Sequence, residues 1–358
     1  MTNKKSQFKF DINRKGPLMN IKSFIAVASI AMFSTITASQ ATTTFTYSSW
    51  LPWTHPVNTN IYLKWMSEVE KRSEGRIKFR HLPKAVAHPR AHLDAVRTSQ
   101  ANAGMSVHGY SPKRFAAYMF AEHPFLGDRA RASSIALART HAKFFGDKNL
   151  YKGVHLVGMN THGPGVIHHS KKNFTVPGDM KGQKMRTGGP IPKRIVEAWG
   201  GVAIRQPASK SYEVLSAGIV GGITFPYESL DSFKITKLVP YSTYIPGGLY
   251  TSSHYLVISK KKYDGLSASD KKVIDGLSGE NFADLAGRGW DTINDAGLAG
   301  AKKAGNKMTT APAAIINAVK KLNTEFSKEY IASVKDAGID GAAVLKYFKG
   351  EVSKLQGN

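Results

Sequence analysis

The strongest constraint on this chain is a rhythm. From Thr43 to Phe225, short runs that alternate or are wholly apolar give way repeatedly to runs with helical spacing. TTFTYSSW (Thr43–Trp50) alternates as a strand. NIYLKWMSEVEKRSEG (Asn60–Gly75) sets Ile61, Leu63, Trp65, Met66 and Val69 against a charged face and ends on Gly75. That is the pattern of an amphipathic helix with a glycine C-cap. RIKFRHL (Arg76–Leu82) alternates again, AHLDAVRTSQ (Ala91–Gln100) is helical, and AGMSVHGY (Ala103–Tyr110) reads as a buried strand. The pattern continues with a helix over Arg131–Gly146, a strand over Gly153–Thr161 and a short strand ending at Thr187. A helix over Ile191–Trp199, a strand over Val202–Pro207, a helix over Ser209–Gly218 and a strand over Gly221–Phe225 complete it. Strands separated by helices predict an α/β fold on parallel sheet, because a crossover helix returns each strand in the same direction. The elements fall into two sets, at about 42–162 and 163–250.

The longest helical pattern follows. It opens at SASD, where Ser267 or Ser269 can cap, and runs through Val273, Ile274, Leu277, Phe282, Leu285, Trp290 and Ile293 towards Ala304. Gly276, Gly279, Gly287 and Gly289 weaken it locally. A helix of that length exceeds the width of one small domain, so it is expected to run along both sets of elements.

The first forty-one residues read as an export signal. Lys22 is followed by an apolar stretch, Phe24–Ala38, of about fifteen residues, and Ser39-Gln40-Ala41 offers a cleavage site after Ala41. Met19 is an alternative start for this segment. The stretch is shorter than the roughly twenty residues a membrane span needs. The expectation is a soluble, exported protein working in the periplasm, and the absence of cysteine from the sequence fits it. The formal charge is +25. Residues 1–41 carry six Lys/Arg and one Asp, so about +20 remains without them. The basic residues are scattered, and Lys260-Lys261-Lys262 is the longest run, so a solvated cationic surface is expected and no nucleic acid partner.

Motifs for catalysis are lacking. There is no Walker A, GxSxG, HExxH or EF-hand pattern. His88 and His92 lie four apart without an accompanying carboxylate, and His168-His169 would point to opposite faces of a strand. No metal, cofactor or enzymatic activity is expected. A binding protein remains, and KMRTGGPIP (Lys184–Pro192) is its best anchor. Arg186 ends a strand, Gly188 and Gly189 permit close backbone approach, and Pro190 suits the first turn of a helix. A guanidinium offers a carboxylate two parallel N–H bonds, and a helix start adds free N–H groups. The alternative is an arginine paired with a local carboxylate such as Glu213.

DMKGQKMRTGGPIPKRIVEAWGG and RQPASKSYEVLSAGIVGGITFPYES resemble the extracytoplasmic solute-binding subunits of TRAP (tripartite ATP-independent periplasmic) transporters, the DctP-like family. GRIKFRHLP, HLDAVRTSQANAGMSV, PGGLYTSSHYLVISKKKYDGLSASDKKVID and AGLAGAKKAG fit the same family in order. The resemblance implies two α/β lobes with a hinge, a long helix spanning both, and a ligand held between them. It implies a small organic acid as ligand, delivery to small and large membrane permease subunits, and uptake driven by an ion gradient. On this basis lobe 1 is expected over 42–162 plus 251–290, and lobe 2 over 163–250 plus 291–358. The carboxylate clamp of the family carries over to Arg186. Two positions depart from the family's pattern: Phe225 replaces a usual Asn that supplies a second ligand contact, and Lys210 replaces a Glu. Loops that follow first-lobe strands bring Trp50, Trp53 and His55, and also His108 and Tyr110, to the same cleft; Tyr227 and Glu228 follow Phe225 directly. His108 can equally be a satisfied core histidine, and Trp50 and Trp53 core residues. Competing readings are the binding subunit of another importer, a ligand-sensing periplasmic protein, and a secreted enzyme using His108 and Glu228.

Overall fold

The computed structural model describes residues 42–357, and the expected export segment over 1–41 lies outside them. The chain begins with β1 (Thr43–Ser48), α1 (Leu63–Arg72), β2 (Ile77–His81), α2 (His92–Arg97), β3 (Ala103–Val107), α3 (Ala130–Phe144) and β4 (Val154–Thr161). It continues with β5 (Val166–His169), β6 (Lys184–Thr187), α4 (Pro190–Ala198), β7 (Val202–Arg205), α5 (Ser211–Ser216), β8 (Gly222–Phe225), α6 (Glu228–Ser232) and β9 (Tyr241–Tyr244). β10 (Ser253–Ser259), α7 (Lys260–Asp264), α8 (Ala268–Gly276), α9 (Gly279–Lys303), β11 (Lys307–Thr310), α10 (Ala313–Lys335) and α11 (Gly341–Gln356) follow.

The strands form two sheets, in the orders β2-β1-β3-β10-β4 and β11-β9-β5-β8-β6-β7. Parallel pairing is found for β2-β1-β3 and β8-β6-β7, as the crossover helices require. The sheets are nevertheless mixed, which corrects the purely parallel expectation. β10 runs antiparallel to β3 and β4, and β5 antiparallel to β8 and β9. Both strands enter their sheet directly from the other sheet, without a helix to reverse the chain. Their two connectors, 162–165 and 245–252, pair with each other: Gly165 N–H donates to Tyr250 O at 2.8 Å, and Leu249 N–H to Gly165 O at 3.0 Å. β10 is buried along its whole length, with an apolar centre at Tyr255–Ile258, and needs cover on both faces.

Long helices tie the halves together. α8 and α9 are separate helices, broken at Leu277-Ser278, where one helix was expected. The indole of Trp65 donates to Leu277 O at 2.9 Å and satisfies a carbonyl freed by the break. α9 buries Phe282, Trp290 and Ile293 in the core of the first sheet and Ala301 in that of the second. α10 also reaches both, with Ile315, Val319 and Phe326 in one core and Tyr330 and Val334 in the other. The last helix departs from the expected lobe assignment. Val344, Leu345, Phe348 and Val352 of α11 pack with Phe120, Met159 and Tyr255 on the first sheet, and Glu351 pairs with Arg139 of α3 at 2.8 Å. The second face of β10 and β4 needs that apolar cover, so 291–358 does not belong wholly to the second half.

Three glycines of α9, Gly287, Gly289 and Gly297, are sites of close contact with neighbouring chain. At Gly297 an added Cβ would lie 2.5 Å from Tyr227 O and 2.6 Å from Glu228 Cα, so this glycine lets α9 seat against the start of α6. At Gly300, three residues on, nothing lies within 4 Å. Alanine is the better helix former by about 1 kcal/mol, so Gly300→Ala is expected to hold or raise the thermal unfolding midpoint. Gly297→Ala is expected to lower it by several degrees, and equal shifts in the two variants would remove the close-approach role.

Candidate ligand-binding site

Arg186 lies near the end of β6, between Ile204 of β7 and Ile223 of β8. The strand ends at Thr187, and α4 begins with Pro190 at its first position. The side chain is 1 % exposed. Its Nε and one terminal nitrogen donate to Gln206 O at 3.0 and 2.6 Å. Burial pulls its pKa below the usual arginine range, and nearby Tyr110 and Tyr250 offset this only in part. No carboxylate pairs with it among the described residues. Glu213, the alternative partner, is held by Lys210 at 2.7 Å. An isolated charge taken out of water is costly unless something pairs with it. The guanidinium carbon lies 4.3 Å from the centroid of Phe225, a cation–π contact, and Phe225 stacks on Phe233 at 5.5 Å.

This wall bounds a narrow cleft with a cavity volume of about 50 Å³. From the first half come Trp50, His55, Met105, Val107 and Tyr110; from the second, Arg186, Gly188, Ala208, Phe225, Glu228 and Phe233. The paired connectors supply His162, Tyr250 and Ser252, while β10 adds His254 and α9 adds Trp290. Two hydrogen bonds cross near its rim. Arg205 donates to Gly109 O at 3.0 Å, and Ala208 N–H to the Tyr110 hydroxyl at 2.9 Å.

Six residues singled out in the sequence meet here: Arg186, Phe225, Trp50, His55, Tyr110 and Glu228. Three do not. His108 is buried in the aromatic core of the first half, bonded to the Ser253 hydroxyl at 2.8 Å and to the Tyr151 hydroxyl. β3 ends at Val107 and the chain turns over 108–110, so His108 swings inward while Tyr110 reaches the cleft. His108 and Glu228, the residues named for an enzyme reading, therefore do not meet in the cleft. Tyr227 packs edge-on against His168 in the second core, 5.5 Å away. Trp53 stacks on His81 at 4.6 Å. The expected helix-start anion seat is also modified. Gly188 lines the cleft, but Gly189 faces inward, where an added Cβ would lie 2.8 Å from the Glu122 carboxyl. Burial pushes Glu122 up to about 8.

Of the missed residues, His162, Tyr250 and Ser252 lie on the connectors and His254 and Trp290 on elements remote in sequence, while Phe233 follows α6 just after Glu228. The glycine- and proline-rich runs HGPG (162–165) and PGG (246–248) were the available signal, since they mark where the chain crosses between sheets. Apart from Arg186 the lining is held near neutrality. Burial pushes His55 and His162 down to about 4 and His254 to about 3, and it raises Glu228 to about 7.

Two α/β halves joined by crossing segments, around a cleft with one unpaired cation, define a two-lobed solute-binding protein. The chain belongs to the family described as bacterial extracellular solute-binding protein, family 7, which matches residues 47–333. Members of that family are solute-binding receptors. A TRAP periplasmic solute-binding protein from Bordetella bronchiseptica, solved with (R)- and (S)-mandelate bound, is 38 % identical with a TM-score of 0.84, covering 87 % of this chain and 99 % of that one. A TRAP solute-binding protein from a marine metagenome, specific for aromatic acid ligands and solved with 3-hydroxybenzoate, is 29 % identical with a TM-score of 0.82, covering 88 % and 99 %. The outer membrane transporter protein TsaT of Comamonas testosteroni is 25 % identical over 94 % of this chain and 99 % of that protein.

The histidines of the cleft make acid sensitivity a consequence of the fold. His162 and His254 stay neutral in the folded chain well below the ordinary histidine value of about 6.5. The unfolded chain takes up those protons as pH falls through 6.5, so stability is full above that value and drains away towards pH 4 and 3. Thermal unfolding midpoints are expected to drop between pH 6.5 and 4.5, and the His162→Gln/His254→Gln double variant should show a shallower drop. An unchanged slope would mean that these two rings do not set it.

Proposed function

We propose that this chain captures a small aromatic monocarboxylate in the cleft and hands it to the small and large membrane subunits of a TRAP permease, for uptake driven by an ion gradient. In this reading residues 1–41 direct export and are removed after Ala41, and the mature protein works in the periplasm. The observation that carries it is Arg186, a fully buried guanidinium with two donors spent on one carbonyl and no carboxylate partner among the described residues. A ligand carboxylate supplies the missing anion. The aromatic part of the proposal follows from the walls: Phe225 and Phe233 stack beside Arg186, and Trp50, Tyr110 and Trp290 face the same space. A flat acid fills such a cleft with its ring against apolar side chains and its carboxylate on the cation. The mandelate- and 3-hydroxybenzoate-bound relatives support this choice of ligand class.

Calorimetric titration with mandelate, benzoate and the uncharged benzamide tests it. The acids are expected to bind and the amide to bind far more weakly. Arg186→Ala should weaken acid binding at least tenfold, because loss of a buried charge-assisted contact costs about 2–5 kcal/mol. Arg186→Lys should also be poor, since a point charge cannot replace the fork. Unaltered acid affinity in Arg186→Ala would defeat the clamp assignment.

A further inference from the structure

The cleft carries a second polar station, opposite in character to Arg186. His55 lies on the first half, on the segment after β1, and Glu228 opens α6 on the second half. Both line the cleft, and both side chains are 2 % exposed. His55 Nε2 and Glu228 Oε1 face each other at 3.9 Å, too far for a hydrogen bond, and neither atom has a partner. The remaining polar atoms are used. His55 Nδ1 accepts the Val57 N–H at 3.2 Å, which fixes the proton on Nε2 and leaves that nitrogen a donor. The other oxygen of Glu228 accepts the Ser229 hydroxyl at 2.8 Å, which leaves Oε1 free, an acceptor in the ionised form that the group takes above about 7. A buried donor and a buried acceptor left unmade each carry a desolvation cost.

We infer that His55 and Glu228 together recognise a hydroxyl group on the bound acid, so that the protein selects hydroxylated aromatic acids over unsubstituted ones. A hydroxyl is the group that answers both atoms at once, accepting from Nε2–H and donating to Oε1. An oxygen about 2.8 Å from each fits at the apex over their separation. The position agrees with the wall already described. From Arg186 the rings of Phe225 and Phe233 lead to His55, whose ring lies 4.9 Å from Phe233. The cation and the donor–acceptor pair therefore sit at opposite ends of one aromatic surface. A site built to hydrogen-bond a hydroxyl rejects the analogue lacking it, because the two protein groups are then left unpaired. This inference rests on the aromatic carboxylate reading and adds the group that distinguishes among such acids.

The test is calorimetry with benzoate and with 2-, 3- and 4-hydroxybenzoate on the full-length mature protein. At least one hydroxybenzoate is expected to bind tenfold or more tightly than benzoate. In Glu228→Met and in His55→Phe the ratio of the two affinities should collapse towards one. Because each variant is judged by its own ratio, a general loss of binding does not imitate the result. The two variants remove the acceptor and the donor separately, and thermal unfolding checks that each is folded. Equal affinities for benzoate and all three hydroxybenzoates, with binding still dependent on Arg186, would overturn this inference alone and assign the station to a bridging water. A preference that survives in both variants would also overturn it. Failure of every aromatic acid to bind would overturn both this inference and the reading beneath it.

Discussion

A buried guanidinium with no carboxylate paired to it among the described residues is the constraint around which the cleft is arranged. Holding Arg186 there requires a rigid seat, and β6 supplies one by lying between β7 and β8. Gln206 O takes two of its donors and fixes the plane of the group. Tyr250 closes the floor, its hydroxyl donating to Thr224 O at 2.9 Å. That tyrosine is placed by the paired connectors, where Gly165 leaves no room for a side chain: an added Cβ would lie 2.3 Å from the Tyr250 ring. The crossing of the chain between sheets and the seat of the cation are therefore one construction. A change in the tilt of one half against the other would therefore carry the anion site with it, which is the mechanical requirement for ligand-driven closure.

What could be read in advance follows the range of the interactions involved. Arg186 was legible because strand end, glycines, proline and helix start all fall within ten residues of chain. Phe225 and Glu228 were legible for the same reason, flanking the end of β8. His108 was misplaced because AGMSVHGY is apolar enough to continue as a strand through Tyr110. In a strand His108 and Tyr110 would share a face. In the tight turn that forms instead they diverge, and one enters the core as the other enters the cleft. His254 and Trp290 had no local mark at all. Their contribution depends on β10 inserting between β3 and β4, and on α9 lying across both halves. Similarly, Gly287, Gly289 and Gly297 of α9 look like helix defects until the neighbouring backbone is known, and α11 declares its half only through the sheet face it covers.

Phe225 shows how a departure from a family pattern alters a site without emptying it. The family resemblance puts a polar residue at that position, which would offer a second hydrogen bond beside the proposed clamp. Here a ring lies over the guanidinium at 4.3 Å and continues into Phe233. The exchange gives up a donor next to the carboxylate seat and gains an apolar surface beside it. The polar function then has to be met elsewhere in the cleft, and the unpartnered atoms of His55 and Glu228 lie on the far side of that surface.

Charge balance in the cleft narrows the proposed ligand further. The protein as a whole is strongly basic, yet the lining offers one lasting positive charge. His55, His162 and His254 are pushed by burial towards the neutral form, to about 4, 4 and 3. Glu228 and the nearby Glu122 are raised to about 7 and 8, because an ionised carboxylate there would lack solvation. A monoanion balances the charge of Arg186. A dianion would place its second carboxylate among groups that cannot supply a cation at neutral pH, and against Glu228, which ionises near that pH. The scattered surface lysines and arginines draw anions of either charge towards the protein, because long-range steering depends on net charge. The buried lining then discriminates at short range, where the low dielectric makes an unpaired charge expensive. Attraction and selection are thus separated in space, the first at the solvated surface and the second at Arg186 and its neutral surroundings.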